Sequence, residues 1–262
     1  MKNITSRNNV TIIGDGKETL LFAHGFGCDQ STWRYIISSF SPQYRIILFD
    51  YVGSGNADHT TYTTAKYNSL NGYAEDIVDI CKELKLENVT FIGHSVSSMI
   101  GALASIKMPT AFKKLLFICP SPRYLNDTNY KGGFEKADLD GLFELMDDDY
   151  ITWAKATAPA IMGTKNESLG KELSDSFCSM HPEIAKSFAR VTFLSDSRKD
   201  LPKIPVPSVT FQCAEDMIAP LEVGDYIKAN TPNNTLVHLK ATGHCPHMSA
   251  PEETITAIKS FL

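Results

Sequence analysis

Long hydrophobic runs are the first thing this sequence lacks. No stretch of about 18 consecutive apolar residues occurs in its 262 positions, so no membrane-spanning helix is expected. The opening MKNITSRNNV is polar and has no apolar centre, which argues against a secretory leader. A basic excess is missing too. Lys and Arg number 25 against 30 Asp and Glu, a formal charge of −5, so nucleic acid is not an expected ligand. The six cysteines (Cys28, Cys81, Cys119, Cys178, Cys213 and Cys245) form no C-x-x-C pair. They read as buried free thiols of a cytoplasmic protein rather than a disulfide framework. Nucleotide loops are absent as well: there is no G-x-x-x-x-G-K-[ST]. Gly53-Ser54-Gly55 follows a strand-like run, but Asp58 stands where a dinucleotide fingerprint needs its third glycine. No cofactor is expected. His244 and His247 have the spacing of half a metal site without further ligands in register, and Asp147 to Asp149 read as a solvated helix end, so no metal is expected either.

What is present is an ordinary globular composition, 43% hydrophobic and 21% charged. Short β-branched runs alternate with helical periods through the first half. NVTIIG and TLLFAH flank Gly14-Asp15-Gly16, which predicts a hairpin. RIILFD, the run ending at Ile92 and KLLFIC predict further strands, separated by helical faces such as Leu70, Tyr73, Ile77, Cys81 and Leu84. Such alternation means crossover connections and a mostly parallel α/β sheet covered on both faces. From Arg123 to Asp200 strand signal gives way to helical stripes: Leu139, Leu142, Phe143, Met146 and Tyr150, then Leu169, Leu173, Phe177 and Met180, then Ile184, Phe188 and Val191 behind Pro182. A further helix is expected around Trp153, stopped near Pro159. VPSVTFQC and TLVHLK restore the sheet, and a helix over 252–262 ends the chain. The division expected is a core of 1–122 and 201–262 with a helical cap at 123–200, over the strand ends where open α/β sheets bind ligands.

The chemistry centres on FIGHSVSSMIG, residues 91–101. A strand ends at Ile92 and a helix begins after Ser95, so the turn between them holds Ser95 in a strained conformation at the sheet edge, a nucleophile elbow. A serine hydroxyl needs a base, and the base needs a carboxylate to orient it. VTFQCAEDMIAP places Asp216 three residues past a strand, and LVHLKATGHCPHMS places His244 after the next. The order Ser, Asp, His on strand-end loops makes Ser95, Asp216 and His244 the expected triad. Asp216 is preferred over its neighbour Glu215, and His244 over His247. An oxyanion needs two backbone N–H donors, expected from Val96 and, in the glycine loop FAHGFGCDQ, from Phe26. His24 and His94 are expected as supports beside the site.

The motifs GFGCDQSTW, RIILFDYVGSG, GHSVSSMIGALAS, SPRYLND, GGFE, FLSDSR and GHCPHMS resemble those of the RsbQ-like α/β-hydrolases over essentially the whole chain. That group includes a bacterial sigma-B energy-stress regulator and the plant karrikin and strigolactone receptor hydrolases. The resemblance implies an α/β-hydrolase fold with a four-helix cap inserted after the sixth strand and the triad on the floor of an apolar pocket. Carried over by motif, Phe134, Trp153 and Phe193 are expected at the pocket, together with His24 and with Thr157, which stands where plant relatives resemble one another in having an aromatic. Ser97 departs from the second glycine of G-x-S-x-G and is expected to be small enough. The implied activity is cofactor-independent hydrolysis of a small hydrophobic ester or lactone, serving signal perception or stress regulation. A slow ligand sensor acting through a protein, such as a PP2C-type phosphatase, and an ordinary metabolic esterase remain as alternatives.

Overall fold

The computed structural model describes residues 3–163 and 165–262. Its sheet contains β1 (Thr11–Ile13), β2 (Glu18–Ala23), β3 (Tyr44–Leu48), β4 (Val89–His94), β5 (Phe112–Ile118), β6 (Ser208–Glu215) and β7 (Asn234–Thr242). Among the described residues these form one seven-stranded sheet in the order β1-β3-β2-β4-β5-β6-β7, parallel except for β1. In the first half lie helices α1 (Ile4–Arg7), α2 (Arg34–Ile37), α3 (Leu70–Glu83) and α4 (Val96–Lys107). Between β5 and β6 come α5 (Lys136–Asp148), α6 (Tyr150–Met162), α7 (Glu167–Ser179) and α8 (Pro182–Phe193). The chain ends through α9 (Leu221–Asn230), α10 (Pro246–Ser249) and α11 (Pro251–Lys259).

The two-residue period of a strand sends neighbours to opposite faces. Along β2, Leu21 and Ala23 join a cluster with α3 and α4, while Leu20 and Phe22 join one with Trp33, α2 and α11. All six residues of β4 are buried, as expected of a central parallel strand covered on both sides.

Three expectations need correction. Gly14 to Gly16 do not close a hairpin, because β3 lies between β1 and β2. The turn instead crosses the start of β3, where a Cβ on Gly16 would stand 2.1 Å from the Gln43 carbonyl oxygen and one on Gly14 2.5 Å from that of Tyr44. The helical insertion follows the fifth strand rather than the sixth, since five strands precede it among the described residues. Pro159 does not stop α6. It sits in the last turn, and the helix runs on to Met162 before Gly163, at φ +62, ends it in the left-handed region.

The stripes read from the sequence are the buried faces of the inserted helices: Leu139, Phe143 and Met146 on α5, Leu169, Leu173 and Phe177 on α7, Ile184 and Phe188 on α8. Both ends of the insertion are fastened together. Arg123 pairs with Asp196 at 2.8 Å, Arg198 bridges Asp196 and Asp127 at 2.7 and 2.9 Å, and the Ser197 N–H donates to the Pro122 carbonyl at 2.7 Å. Among the Asp147–Asp149 run, Asp149 caps α6 and Asp147 meets Arg190. Five of the six cysteines are buried, and all six are free thiols.

Candidate active site

Ser95 occupies the single residue between β4 and α4, at φ +57 and ψ −127, outside the regions an L-residue prefers. Close packing holds it there. A Cβ on Gly93 would lie 2.8 Å from the Ser97 carbonyl, and one on Gly101 would lie 2.1 Å from the Phe91 ring, so helix and strand touch where only glycine fits. The Ser95 N–H donates to the Ile118 carbonyl at 2.8 Å, which ties the turn to β5. Ser97, in place of the second glycine, is fully used: its hydroxyl donates to the His24 carbonyl and meets the Tyr51 hydroxyl at 2.9 Å.

His244 follows β7 through Gly243 and reaches Ser95. Its Nε2 lies 2.7 Å from Ser95 Oγ, and its Nδ1 lies 2.7 Å from Asp216 Oδ2. The other Asp216 oxygen accepts the Ile218 and Ala219 N–H groups at 2.8 and 3.2 Å, which fixes the carboxylate just past β6. Glu215 is exposed on β6, and what it contributes to the site is its backbone carbonyl, taken by the Gly243 N–H at 2.7 Å. Its neighbour Asp216 has a fully buried side chain.

The loop after β2 turns at Phe26-Gly27, closed by a Cys28 N–H to Gly25 carbonyl bond of 3.2 Å. Gly27 has φ +77, and a Cβ there would run into the Phe177 ring; a Cβ on Gly25 would meet His94 Nδ1 at 2.6 Å. The loop therefore comes as close to Ser95 as the backbone allows. Asp50 anchors its far end, accepting the Gln30 N–H at 2.8 Å and the Asn56 N–H at 3.0 Å. Gly53 and Gly55 thus belong to a loop packed on Asp50 and Ile184.

Behind the serine, His94 Nε2 lies 2.7 Å from the His244 carbonyl and so donates to it, joining the elbow to the loop that carries His244. Burial, followed by the neighbouring histidines, drives the His94 pKa far down. His247 packs between Trp33 at 4.5 Å and His94 at 4.6 Å, and burial pushes its pKa down to about 3. Both rings are neutral packing elements. Among the described residues, Cys119, Asp216 and His244 bring metal-ligating atoms within 4.8 Å of one another, with Cys213 Sγ 3.4 Å from Cys119 Sγ; Asp216 and His244 are already bonded to each other.

Ser95 and His244 open into a cavity of about 30 Å³, walled by Phe26, Tyr124, Ile161, Phe177, Thr192 and Phe193 among others. It has room for a water or two. An open groove of about 380 Å³ beside Asn71 and Arg190 is larger but contains none of Ser95, Asp216 or His244. Of the expected pocket residues, Phe193 lines the cavity, while His24, Phe134, Trp153 and Thr157 do not. His24 is fully buried, with Nδ1 donating to the Gly25 carbonyl at 2.9 Å and Nε2 accepting the Tyr51 N–H at 3.2 Å. Phe134 backs the Phe193 ring at 5.8 Å, and Trp153 stacks on Phe177 at 5.9 Å, one layer behind the wall. Thr157 is half-buried on α6 away from the lining. Sequence reasoning missed Tyr124, Ile161, Leu173, Phe177 and Thr192 as lining; Leu173 and Phe177 lay in a visible stripe whose direction the sequence does not reveal.

The sequence profile of the alpha/beta hydrolase family matches residues 20–257. The chain belongs to the alpha/beta hydrolase family. Within that family it is 37% identical to a karrikin insensitive 2 receptor of Petunia hybrida, over 97% of this chain and 95% of the relative. It is also 37% identical to a strigolactone esterase of Arabidopsis thaliana, over 99% and 98%. Among solved structures, a hydrolase from Oleispira antarctica superposes with a TM-score of 0.97 at 44% identity, covering 99% of this alpha/beta hydrolase chain and 96% of that one. Among the described residues no helix is long and apolar enough to cross a membrane.

Proposed function

We propose that this chain is a cofactor-independent serine hydrolase of small hydrophobic esters or lactones. The observation that carries the reading is the unbroken bond chain Ser95–His244–Asp216 at the wall of an apolar cavity. In this mechanism Ser95 Oγ attacks the substrate carbonyl carbon while His244 Nε2 takes its proton. Asp216 holds the Nδ1–H tautomer and stabilises the imidazolium that forms. The Phe26 and Val96 N–H groups face the developing oxyanion, a role supported by Val96 directly following Ser95 and by Gly25, the residue before Phe26, packing against the Ser95 side chain. His244 then protonates the leaving oxygen, and water, activated by the same imidazole, releases the acyl group. Nothing in these steps requires a cofactor. Residues 123–200 act as the lid, which must open for an acyl group to enter so small a cavity. The expected result for Ser95→Ala is an unchanged melting temperature with p-nitrophenyl butyrate turnover reduced at least about a thousandfold. Turnover within a few-fold of wild type would overturn the reading.

One observation favours signal perception as the setting of this hydrolysis, in a cytoplasmic protein. The lid holds the loop of the base: the His244 N–H donates to the Ile161 carbonyl at 3.0 Å, and Gly243 packs where a Cβ would meet the Met162 carbonyl oxygen. Movement of α6 on ligand binding therefore moves His244, and a protein partner such as a PP2C-type phosphatase would read the lid's position. The relatives named as receptors support this setting. Pull-down of such a phosphatase with and without ligand tests it, and equal recovery in both states contradicts it.

A further inference from the structure

Two hydroxyls in the cavity wall have nothing to bond. Tyr124 and Thr192 are 1% and 2% exposed, both line the cavity that Ser95 and His244 adjoin, and neither side-chain oxygen has a hydrogen-bond partner. A buried hydroxyl without a partner is costly, which is why such groups are rare. Tyr73 and Thr231 also carry buried hydroxyls without a partner, but neither lines this cavity, and several other residues of these types are satisfied. On helices, Thr254 and Thr256 bond the carbonyl four residues back, at 3.0 and 2.8 Å, as does Ser174 at 2.9 Å. Thr192 makes no such bond, although it lies within α8 one turn after Phe188. Tyr150 and Tyr130 each donate to a backbone carbonyl at 2.7 Å. The Tyr124 hydroxyl lies near enough to Ser95 for that contact to temper the rise in its pKa caused by burial, yet it is out of bonding geometry. His94 Nδ1, also unpartnered, lies against Gly25. The polar groups of the remaining wall are Ser95, His94 and His244, with Ser95 nearest the Tyr124 hydroxyl, and the side chains of Phe26, Ile161, Leu173, Phe177 and Ile218 are apolar.

We propose that the preferred substrate carries a second oxygen on its acyl side, as an ether, hydroxyl, oxo or ring-ester oxygen, that pairs with the Tyr124 and Thr192 hydroxyls. This rests on the hydrolase reading above and narrows it from hydrophobic esters to compact oxygenated ones. A plain alkyl chain leaves both hydroxyls dry and unpaired, whereas an oxygen at that position satisfies them. A site with buried polar groups discriminates strongly against a substrate lacking their partner.

The test compares p-nitrophenyl methoxyacetate with p-nitrophenyl butyrate, which differ by an oxygen in place of a methylene. Each kcat/KM is divided by that ester's hydroxide-catalysed rate to remove intrinsic reactivity. Wild type, Thr192→Val, Tyr124→Phe and the double variant are measured. The normalised preference for methoxyacetate should fall about fivefold in each single variant and further in the double. Thr192→Val and Tyr124→Phe are near-isosteric, so should one fail to fold, the other still decides. The same preference in every folded variant overturns the proposal while leaving the hydrolase reading intact. Turnover of neither ester by wild type removes that reading, and this proposal with it.

Discussion

Ser95, Asp216 and His244 converge from turns after β4, β6 and β7. The Ser95 N–H is held by the Ile118 carbonyl, and the Asp216 carboxylate by the Ile218 and Ala219 N–H groups. The His244 N–H is held by the Ile161 carbonyl of α6, the one of these hydrogen bonds that comes from the insertion. The inserted helices approach the same cavity differently. Their rings contact one another and Phe26: Phe177 at 5.6 Å, Phe188 at 5.7 Å, Phe193 at 6.4 Å and Trp153 at 6.5 Å. Hydrogen bonds with narrow geometry set positions to tenths of an ångström. Edge-to-face aromatic contacts tolerate a range of separations. On the proposed reading, the sheet edge defines where chemistry takes place, and the helices define what can enter, through a surface able to shift.

This contrast orders the effects of substitution. The largest falls on the sheet edge. Asp216→Asn retains an oxygen for the Ile218 and Ala219 N–H groups but presents an amide to His244 Nδ1, so the wrong tautomer is held. Activity should fall about a thousandfold or more with a melting temperature near wild type. A loss below tenfold would mean Asp216 does no more than hold its own loop.

A smaller effect concerns acid. His247 takes up its proton in the folded protein only near pH 3, against 6.5 for an ordinary histidine. Above pH 6.5 neither the folded nor the unfolded chain binds that proton, and stability is complete. Between pH 6.5 and 3 the unfolded chain gains it and the folded chain does not, so stability drains at about 1.4 kcal/mol per pH unit. His94 adds in the same direction. Urea unfolding at pH 7 and pH 5 should show this loss, and His247→Gln should remove about one proton's share of the slope. An unchanged slope would place the acid sensitivity outside the sheet-edge histidines. Smallest is the roughly fivefold change in selectivity expected at Thr192 and Tyr124, on the side of the inserted helices.

Legibility in the sequence follows the same division. The convergence of Ser95, Asp216 and His244 could be read because each sits on a short turn after a strand, where chain order and local geometry determine what a side chain can reach. The elbow was visible for the same reason, with Gly93 and Gly101 marking the close contact. The N-terminal turn was misread because Gly14 and Gly16 permit a hairpin and a crossover equally, and the choice is made by β3, some thirty residues on. Four of five expected pocket residues lie elsewhere because a helical stripe reveals which residues are buried but not against what. Trp153 and Phe134, expected at the pocket, instead pack on Phe177 and Phe193 behind its wall. Thr192 gave no signal at all: a threonine within α8 becomes notable only once its hydroxyl is found without a carbonyl.

The most direct test of the account is intact-mass analysis with peptide mapping after exposure to phenylmethanesulfonyl fluoride, which sulfonylates activated serines. The account predicts one adduct per chain, on Ser95, absent from Ser95→Ala and strongly slowed in His244→Ala. Labelling that settles on another serine, or proceeds at the same rate without His244, would contradict it.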